Sequence, residues 1–294
     1  YVNPLIGTGG HGHTYPGATQ PFGMVQASPD TRLDGWDGCA GYHYSDSLIY
    51  GFSHTHLSGT GVSDYADLLM MPITGQGSFD NHGKTSYAST FQHKNEVAEA
   101  GYYSVKLDKY DVQAELTTSI RTALHRYSFP KDSKEAKVLI DLEHRDQLLD
   151  LSLQINGNNE VNGFRRSKAW ATNQHFYFVI QFSSPFVSSQ LKEITLDSLQ
   201  KPSKVLLSFN LQKDQVLIAR VGISAVSIEG ARRNLEEEMP DFDFDKAKKT
   251  AQTNWNDALA KIIVEGGNEE QKQIFYTALY HNLIVPNTFS DIDG

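Results

Sequence analysis

Hydrophobic and polar positions alternate through the middle of the chain. Tyr103, Val105 and Leu107 alternate with Ser104, Lys106 and Asp108. Val112, Ala114, Leu116, Thr118 and Ile120 alternate with Gln113, Glu115, Thr117 and Ser119, and Phe176, Phe178, Ile180 and Phe182 repeat the period. A period of two sends successive side chains to opposite faces of a strand, one toward a core and one toward solvent or a second layer. Val205-Leu206-Leu207 and Val216-Leu217-Ile218 are continuous apolar runs suited to fully buried strands. Asn156-Gly157-Asn158-Asn159, between Leu153/Ile155 and Val161, predicts a hairpin turn. From about residue 100 to 228 the pattern therefore predicts a sandwich of antiparallel sheets.

After residue 228 the period becomes helical. Ala231 to Met239 predicts a short charged helix stopped by Pro240. Asp243 or Asp245 can cap a second helix, whose apolar stripe is Ala247, Ala251, Trp255, Leu259 and Ile262, ended by Gly266-Gly267. Asn268 with Gln271 forms a capping-box pattern ahead of a third helix, with Ile274, Phe275, Ala278 and Leu279 on one face and Pro286 beyond its end. The opening differs from both regions. Gly7, Gly9, Gly10, Gly12, Gly17, Gly23 and Gly35 crowd it, and five of the eleven histidines (His11, His13, His43, His54, His56) fall in the first 60 residues. Such a segment predicts loops and short strands. The fold class is mainly β. The expected organisation is a sandwich domain over residues 1–230, a helical linker over 231–266, and the start of a further helical domain over 267–294.

A chain of 294 residues is long enough to bury a sizeable core. A formal net charge of −9 with no basic stripe argues against a nucleic-acid partner, which requires clustered Lys and Arg. No run of 18 apolar residues is present, so no helical membrane span is expected. The single cysteine, Cys39, excludes an intrachain disulfide framework and a thiolate zinc cluster. The chain opens at Tyr1 without a charged and then apolar leader, so a mature start with a signal peptide removed is expected. It ends on Ser290-Asp291-Ile292-Asp293-Gly294, a loop-like string after a helical pattern, and a cut inside a longer polypeptide is expected.

Three groups of residues carry candidate chemistry. His11-x-His13 and His54-x-His56 each place two imidazoles on one side of an extended backbone. With Asp64 and Asp67 they either bind a transition metal or brace the glycine-rich loops. Trp36, in Asp34-Gly35-Trp36-Asp37-Gly38-Cys39, either stacks on the C–H face of a sugar beside carboxylates that accept hydroxyl protons, or plugs the end of the sandwich. Cys39 fits a small half-buried thiol better than a nucleophile. Glycoside hydrolysis needs a pair of carboxylates, for which Asp64, Asp67, Asp141, Glu143 and Asp146 are available, most of them expected at the solvated surface.

These motifs have a counterpart. Val2-Asn3-Pro4-Leu5-Ile6-Gly7-Thr8, His11-Gly12-His13-Thr14-Tyr15-Pro16-Gly17-Ala18, Pro21-Phe22-Gly23-Met24-Val25-Gln26 and Ser28-Pro29-Asp30-Thr31 resemble the N-terminal region of glycoside hydrolase family 92. So do Gly41-Tyr42-His43-Tyr44, Gly51-Phe52-Ser53-His54-Thr55-His56-Leu57-Ser58-Gly59 and Phe289-Ser290-Asp291-Ile292-Asp293-Gly294, so the resemblance covers the whole chain. It implies a β-sandwich, a helical linker and an (α/α)6 catalytic barrel. It implies calcium-dependent, inverting, exo-acting α-mannosidases, many α-1,2-specific, of bacteria that degrade mannans and N-glycans in the periplasm or outside the cell. The family's acid, base and most calcium contacts belong to the barrel, so no catalytic and no metal residue is carried onto this chain. Its partners would be a mannose-containing oligosaccharide and its own catalytic domain. The sandwich would contribute Phe22, Trp36 and Asp37 to the sugar pocket, and more weakly His11, His13, His54 and His56. Two alternatives are a carbohydrate-binding sandwich without catalysis, and a glycosidase or phosphorylase of related architecture acting on other α-glycosides.

Overall fold

The computed structural model describes residues 1–133, 135–211 and 215–294. The first strands are β1 (Ala18–Thr19), β2 (Gln26–Asp30), β3 (Leu48–Ile49), β4 (Gly51–Ser53), β5 (Leu69–Thr74) and β6 (Ser89–Thr90). There follow β7 (Glu96–Glu99), β8 (Tyr102–Leu107), β9 (Val112–Thr118), β10 (Thr122–Ser128), β11 (Ala136–Asp141) and β12 (Gln147–Asn156). The last are β13 (Glu160–Lys168), β14 (Gln174–Phe182), β15 (Phe186–Leu196), β16 (Leu199–Phe209) and β17 (Val216–Ser224). They form a seven-stranded sheet in the order β1-β2-β4-β5-β11-β16-β15 and an eight-stranded sheet in the order β12-β13-β14-β17-β10-β9-β8-β7, with β3 and β6 a separate ribbon.

Pairing is antiparallel throughout the described ladders, as between β9 and β10, where Leu116 faces His125 and Ala114 faces Tyr127. The predicted hairpin joins β12 to β13 with Asn156 opposite Glu160, and Gly157 supplies the positive φ of 63° that the turn requires. One continuous core lies between the sheets, with Phe52, Met70, Leu116, Phe178, Leu207 and Val221 fully buried in it. Apolar packing of this kind is worth about 25 cal/mol per Å² removed from water.

The helices depart from prediction in three places: the first starts at Ile228 rather than Ala231, the second stops short of the glycine pair, and the third buries a different face. The helix α1 (Ile228–Glu238) is capped by Ser227 and packs Ala231 and Leu235 on Leu124 and Val179 of the eight-stranded sheet. The helix α2 (Phe244–Leu259) is capped by Asp243, whose side chain accepts the Lys246 N–H. It ends at Leu259 rather than at the glycine pair, and Ile262 lies outside it, 47% exposed. The helix α3 (Glu269–Asn282) has the predicted capping box of Asn268 and Gln271. Its buried residues, however, are Thr277 and Tyr280, whereas Ile274 on the predicted apolar face is 56% exposed. Anchoring decides this: Thr277 Oγ1 accepts the Asn3 N–H at 3.0 Å, and the Tyr280 ring packs 4.5 Å from Trp255. Trp255 in turn donates Nε1–H to the Thr19 carbonyl at 2.7 Å, seating α2 on the sandwich.

The stretch after α3, predicted as loop, is docked onto the sandwich. Asp291 is buried and accepts hydrogen bonds from Ser224 Oγ and Asn234 Nδ2, both at 2.8 Å.

Candidate functional site

A closed loop leaves the seven-stranded sheet at the end of β2. The Thr31 and Arg32 N–H groups both donate to the Gly41 carbonyl, at 2.8 and 3.1 Å, and tie the loop at its base. Gly41 itself has φ +82°, and a Cβ there would fall 2.2 Å from Asp30 Oδ1. At the loop's far end a single helical turn, Trp36–Gly38, presents the indole. Arg145 Nη2 donates to the Gly38 carbonyl at 2.6 Å and Cys39 Sγ donates to the Thr60 carbonyl at 2.8 Å, so the turn is held from below. Cys39 is buried, and burial raises its thiol pKa.

Trp36 is 58% exposed and lies against Gly61, where a side chain would strike its Nε1. The His13 ring stands edge-on to the indole with 4.4 Å between centroids, and His11 lies 5.0 Å away. Both imidazoles reach one oxygen: His11 Nδ1 is 2.7 Å and His13 Nε2 3.2 Å from Asp37 Oδ1. The His11 hydrogen bond first, and then that of His13, hold the Asp37 carboxyl below its ordinary range. The result is a solvent-facing aromatic face beside a carboxylate that two imidazoles hold in place, one exposed (His11) and one buried (His13). An indole covers the C–H face of a pyranose, and the polar groups at its edge match sugar hydroxyls.

The structure therefore brings together Trp36, Asp37, His11 and His13. It places the other expected residues elsewhere. His54 is 0% and His56 4% exposed, so neither has surface to offer a sugar. His54 Nδ1 meets the Leu68 carbonyl at 2.8 Å and its Nε2 meets His125. His56 spans the Gln26 carbonyl at 2.8 Å and Asp30 Oδ1 at 3.0 Å. Both brace the fold, the second of the two roles open to them. Phe22 is 40% exposed and occupies a turn with φ 54°, closed by the Gly23 N–H on the Gln20 carbonyl. Its backbone pairs with Leu283 and Thr288, which places it at the helical side of the sandwich.

Asp64, Asp67 and Asp141, among the carboxylates expected at the solvated surface, are instead buried and structural. Asp67 is buried against Arg165 Nη1 at 2.6 Å, with Thr55 Oγ1 at 3.0 Å. Asp64 accepts the Trp170 and Ala171 N–H groups, each at 3.0 Å. Asp141 pairs with Lys204 Nζ and the Tyr87 hydroxyl, each at 2.8 Å. Glu143 receives Ser203 Oγ and, at 3.3 Å, Lys192 Nζ. Asp146 is half-buried, and burial pushes its pKa up to about 6. Asp30 lies between His56 and His144, 3.1 Å from the latter; burial alone would raise its carboxyl, but the two imidazoles outweigh it and hold it well below the carboxylate range. Calcium asks for six to eight oxygen ligands. Asp30, Asp64, Asp67 and Asp141 are committed to internal donors, so they do not make such a cradle.

One surface has no counterpart in the sequence-based expectations. An open cleft of about 650 Å³ lies across the 57–65 loop, lined by Tyr65, Trp170, Gln174, His175 and Phe289. Trp170 is 75% exposed at the turn between β13 and β14, and Asp64 fixes its backbone. Its one sequence signal is a lone tryptophan between small and polar residues, Lys168-Ala169-Trp170-Ala171-Thr172.

Residues 1–224 match the model described as the glycosyl hydrolase family 92 N-terminal domain, and residues 230–294 match that of the family 92 catalytic domain. A family GH92 alpha-mannosidase from Bacteroides thetaiotaomicron is 32% identical over the whole chain, with a TM-score of 0.91, and has also been solved with mannoimidazole. An inverting mannosidase of the same family from Bacteroides thetaiotaomicron VPI-5482 is 28% identical over the whole chain, with a TM-score of 0.83. An uncharacterized secreted glycosidase from Arthroderma benhamiae is 27% identical over 99% of the chain. The chain spans 42%, 40% and 42% of these three proteins respectively.

Proposed function

The chain belongs to glycosyl hydrolase family 92, and from that premise we propose that the polypeptide carrying it is an exo-acting α-mannosidase. It removes terminal mannose, α-1,2-linked in its preferred substrates, with inversion at the anomeric carbon. Mannans or N-glycans are its source of substrate. The assignment to mannose is supported by the mannoimidazole complex of the 32%-identical relative. The assignment of a sugar-contacting role within this chain is supported by one observation, the exposed Trp36 indole bracketed by Asp37, His11 and His13.

In this proposal residues 1–230 form the sandwich, 231–266 the linker, and 267–294 open the catalytic domain that is the sandwich's partner. Trp36 packs on the sugar's apolar face, Asp37 accepts hydrogen bonds from its hydroxyls, exposed His11 offers them the ring nitrogen turned away from Asp37, and buried His13 holds Asp37 and the indole in place. No carboxylate described above is assigned as acid or base. Calcium, if bound, would polarise sugar hydroxyls, and Asp30, Asp64, Asp67 and Asp141, already paired internally, would not hold it. The protein works outside the cytoplasm, periplasmic or secreted, in keeping with the secreted fungal relative.

The test is to incubate the complete polypeptide with an α-1,2-linked mannobiose, with and without chelator, and follow the released sugar by NMR. The proposal expects β-mannose as the first-formed anomer, with less released after chelation. Release from α-glucosides alone, or none at all, would contradict it.

A further inference from the structure

We propose that His11, His13 and Asp37 form a binding site for a divalent transition-metal ion of the zinc class. Among the described residues this is the one group of three or more His, Cys, Asp or Glu whose ligand atoms all converge, within 4.8 Å of one another. Two imidazole nitrogens and a carboxylate oxygen are the donor set of zinc, cobalt, nickel and copper sites. The same set is a poor one for calcium, which takes oxygen, so this ion is distinct from the one the family uses.

The approach distances fit after a small opening. His11 Nδ1 and His13 Nε2 lie 2.7 and 3.2 Å from Asp37 Oδ1. Bonds of about 2.0–2.2 Å around a tetrahedral ion set neighbouring ligand atoms about 3.4 Å apart. The His11 side chain is 70% exposed and can move the remaining distance without disturbing the core. The other ligand is rigid. His13 has 4% of its side chain exposed and a φ of 54°. Its carbonyl accepts the Gly59 N–H at 2.7 Å. Left-handed backbone at a non-glycine residue is strained and collects at ligand clamps. Trp36, perpendicular to the His13 ring, covers one side of the cluster, and three protein ligands leave a position open to water or a hydroxyl.

An ion held there occupies the groups that would otherwise meet sugar hydroxyls, so zinc-class metals should compete with sugar at Trp36. That consequence rests on the sugar-binding proposal, whereas metal binding itself does not. The test titrates untagged, chelator-stripped protein with zinc chloride by calorimetry at about pH 7.5, where imidazole ligands are deprotonated. A parallel titration with cobalt chloride reads visible d–d absorption. One ion per chain is expected. His11→Ala at an exposed position and Asp37→Asn at a half-buried one should each weaken it at least about 10-fold with unchanged melting, while His82→Ala leaves it intact and excess calcium fails to displace it. Absence of saturable binding below about 1 mM, or binding that survives both substitutions, overturns the proposal. Displacement by calcium does so as well.

Discussion

His54 and His125 face each other through their Nε2 atoms, 2.9 Å apart and fully buried. The proton count on this chain is fixed by its ends. The Leu68 carbonyl can only accept, so His54 Nδ1 donates and its Nε2 carries the lone pair. His125 then donates from Nε2 and accepts the Tyr127 O–H at Nδ1, 2.8 Å away. A further proton on either ring would bring two donors face to face.

Burial holds the His54 pKa down to about 4 and pushes that of His125 well below its ordinary value. A base whose folded pKa is depressed contributes stability that is complete above the unfolded value near 6.5 and lost as pH falls from there toward 4. Each pH unit of depression is worth about 1.4 kcal/mol. Asp146, pushed up to about 6, takes its proton in the folded state over the same range and works in the opposite direction. Melting temperature should therefore fall between pH 6.5 and 4 more steeply in Asp146→Asn than in the parent. NMR of the His54 ring should show no titration between about pH 8 and 5.5; a midpoint near 6.5 would refute the assigned protonation.

Arg165 is 0% exposed and donates from Nη1 to Asp67 and from Nε to the Leu142 carbonyl at 2.9 Å. It also reaches the Arg145 carbonyl, and Arg145 holds the turn under Trp36. Removing one partner of a buried ion pair typically costs about 3–5 kcal/mol. Asp67→Ala should lose that much in urea unfolding, and Asp67→Ala with Arg165→Met should lose clearly less than the sum of the two single changes. Additive losses would mean the pair is not coupled.

Gly41→Ala should cost about 2–5 kcal/mol, combining left-handed backbone with overpacking against Asp30 and His56. Because Gly41 closes the loop that carries Trp36, the variant should also change the indole's fluorescence spectrum at temperatures where the chain stays folded. A stable variant with the parent spectrum would show that the loop base is not what fixes Trp36.

The period-two stretches over β9 and β14 were legible because each buries one face and leaves the other less covered, and β8 was legible because its second face, though covered, carries the polar Ser104 and Lys106. The strands β2, β4 and β5 were not, since both their faces are covered and the buried set of β2 includes Gln26, Ser28 and Asp30. Hydropathy cannot mark a polar residue that is buried because it has a partner, such as Gln26 Nε2 on the Gly23 carbonyl. His11-x-His13 and His54-x-His56 have the same spacing, and only tertiary pairing leaves His11 at the surface while His13, His54 and His56 are buried. The same limit applies to Asp64 and Asp67, whose burial depends on Trp170 and Arg165, a hundred residues away in the chain.

The central claim is that Trp36 serves sugar recognition and not the fold. Its exposure and its neighbours His11, His13 and Gly61 make it removable without opening the core. The direct measurement is kcat/KM for an α-mannoside, together with melting temperature, for the complete polypeptide and its Trp36→Ala variant. Loss of an aromatic stacking face predicts a fall in kcat/KM of roughly 10–100-fold with melting nearly unchanged. A large drop in melting temperature with normal kinetics would contradict the account and make Trp36 a plug for the end of the sandwich.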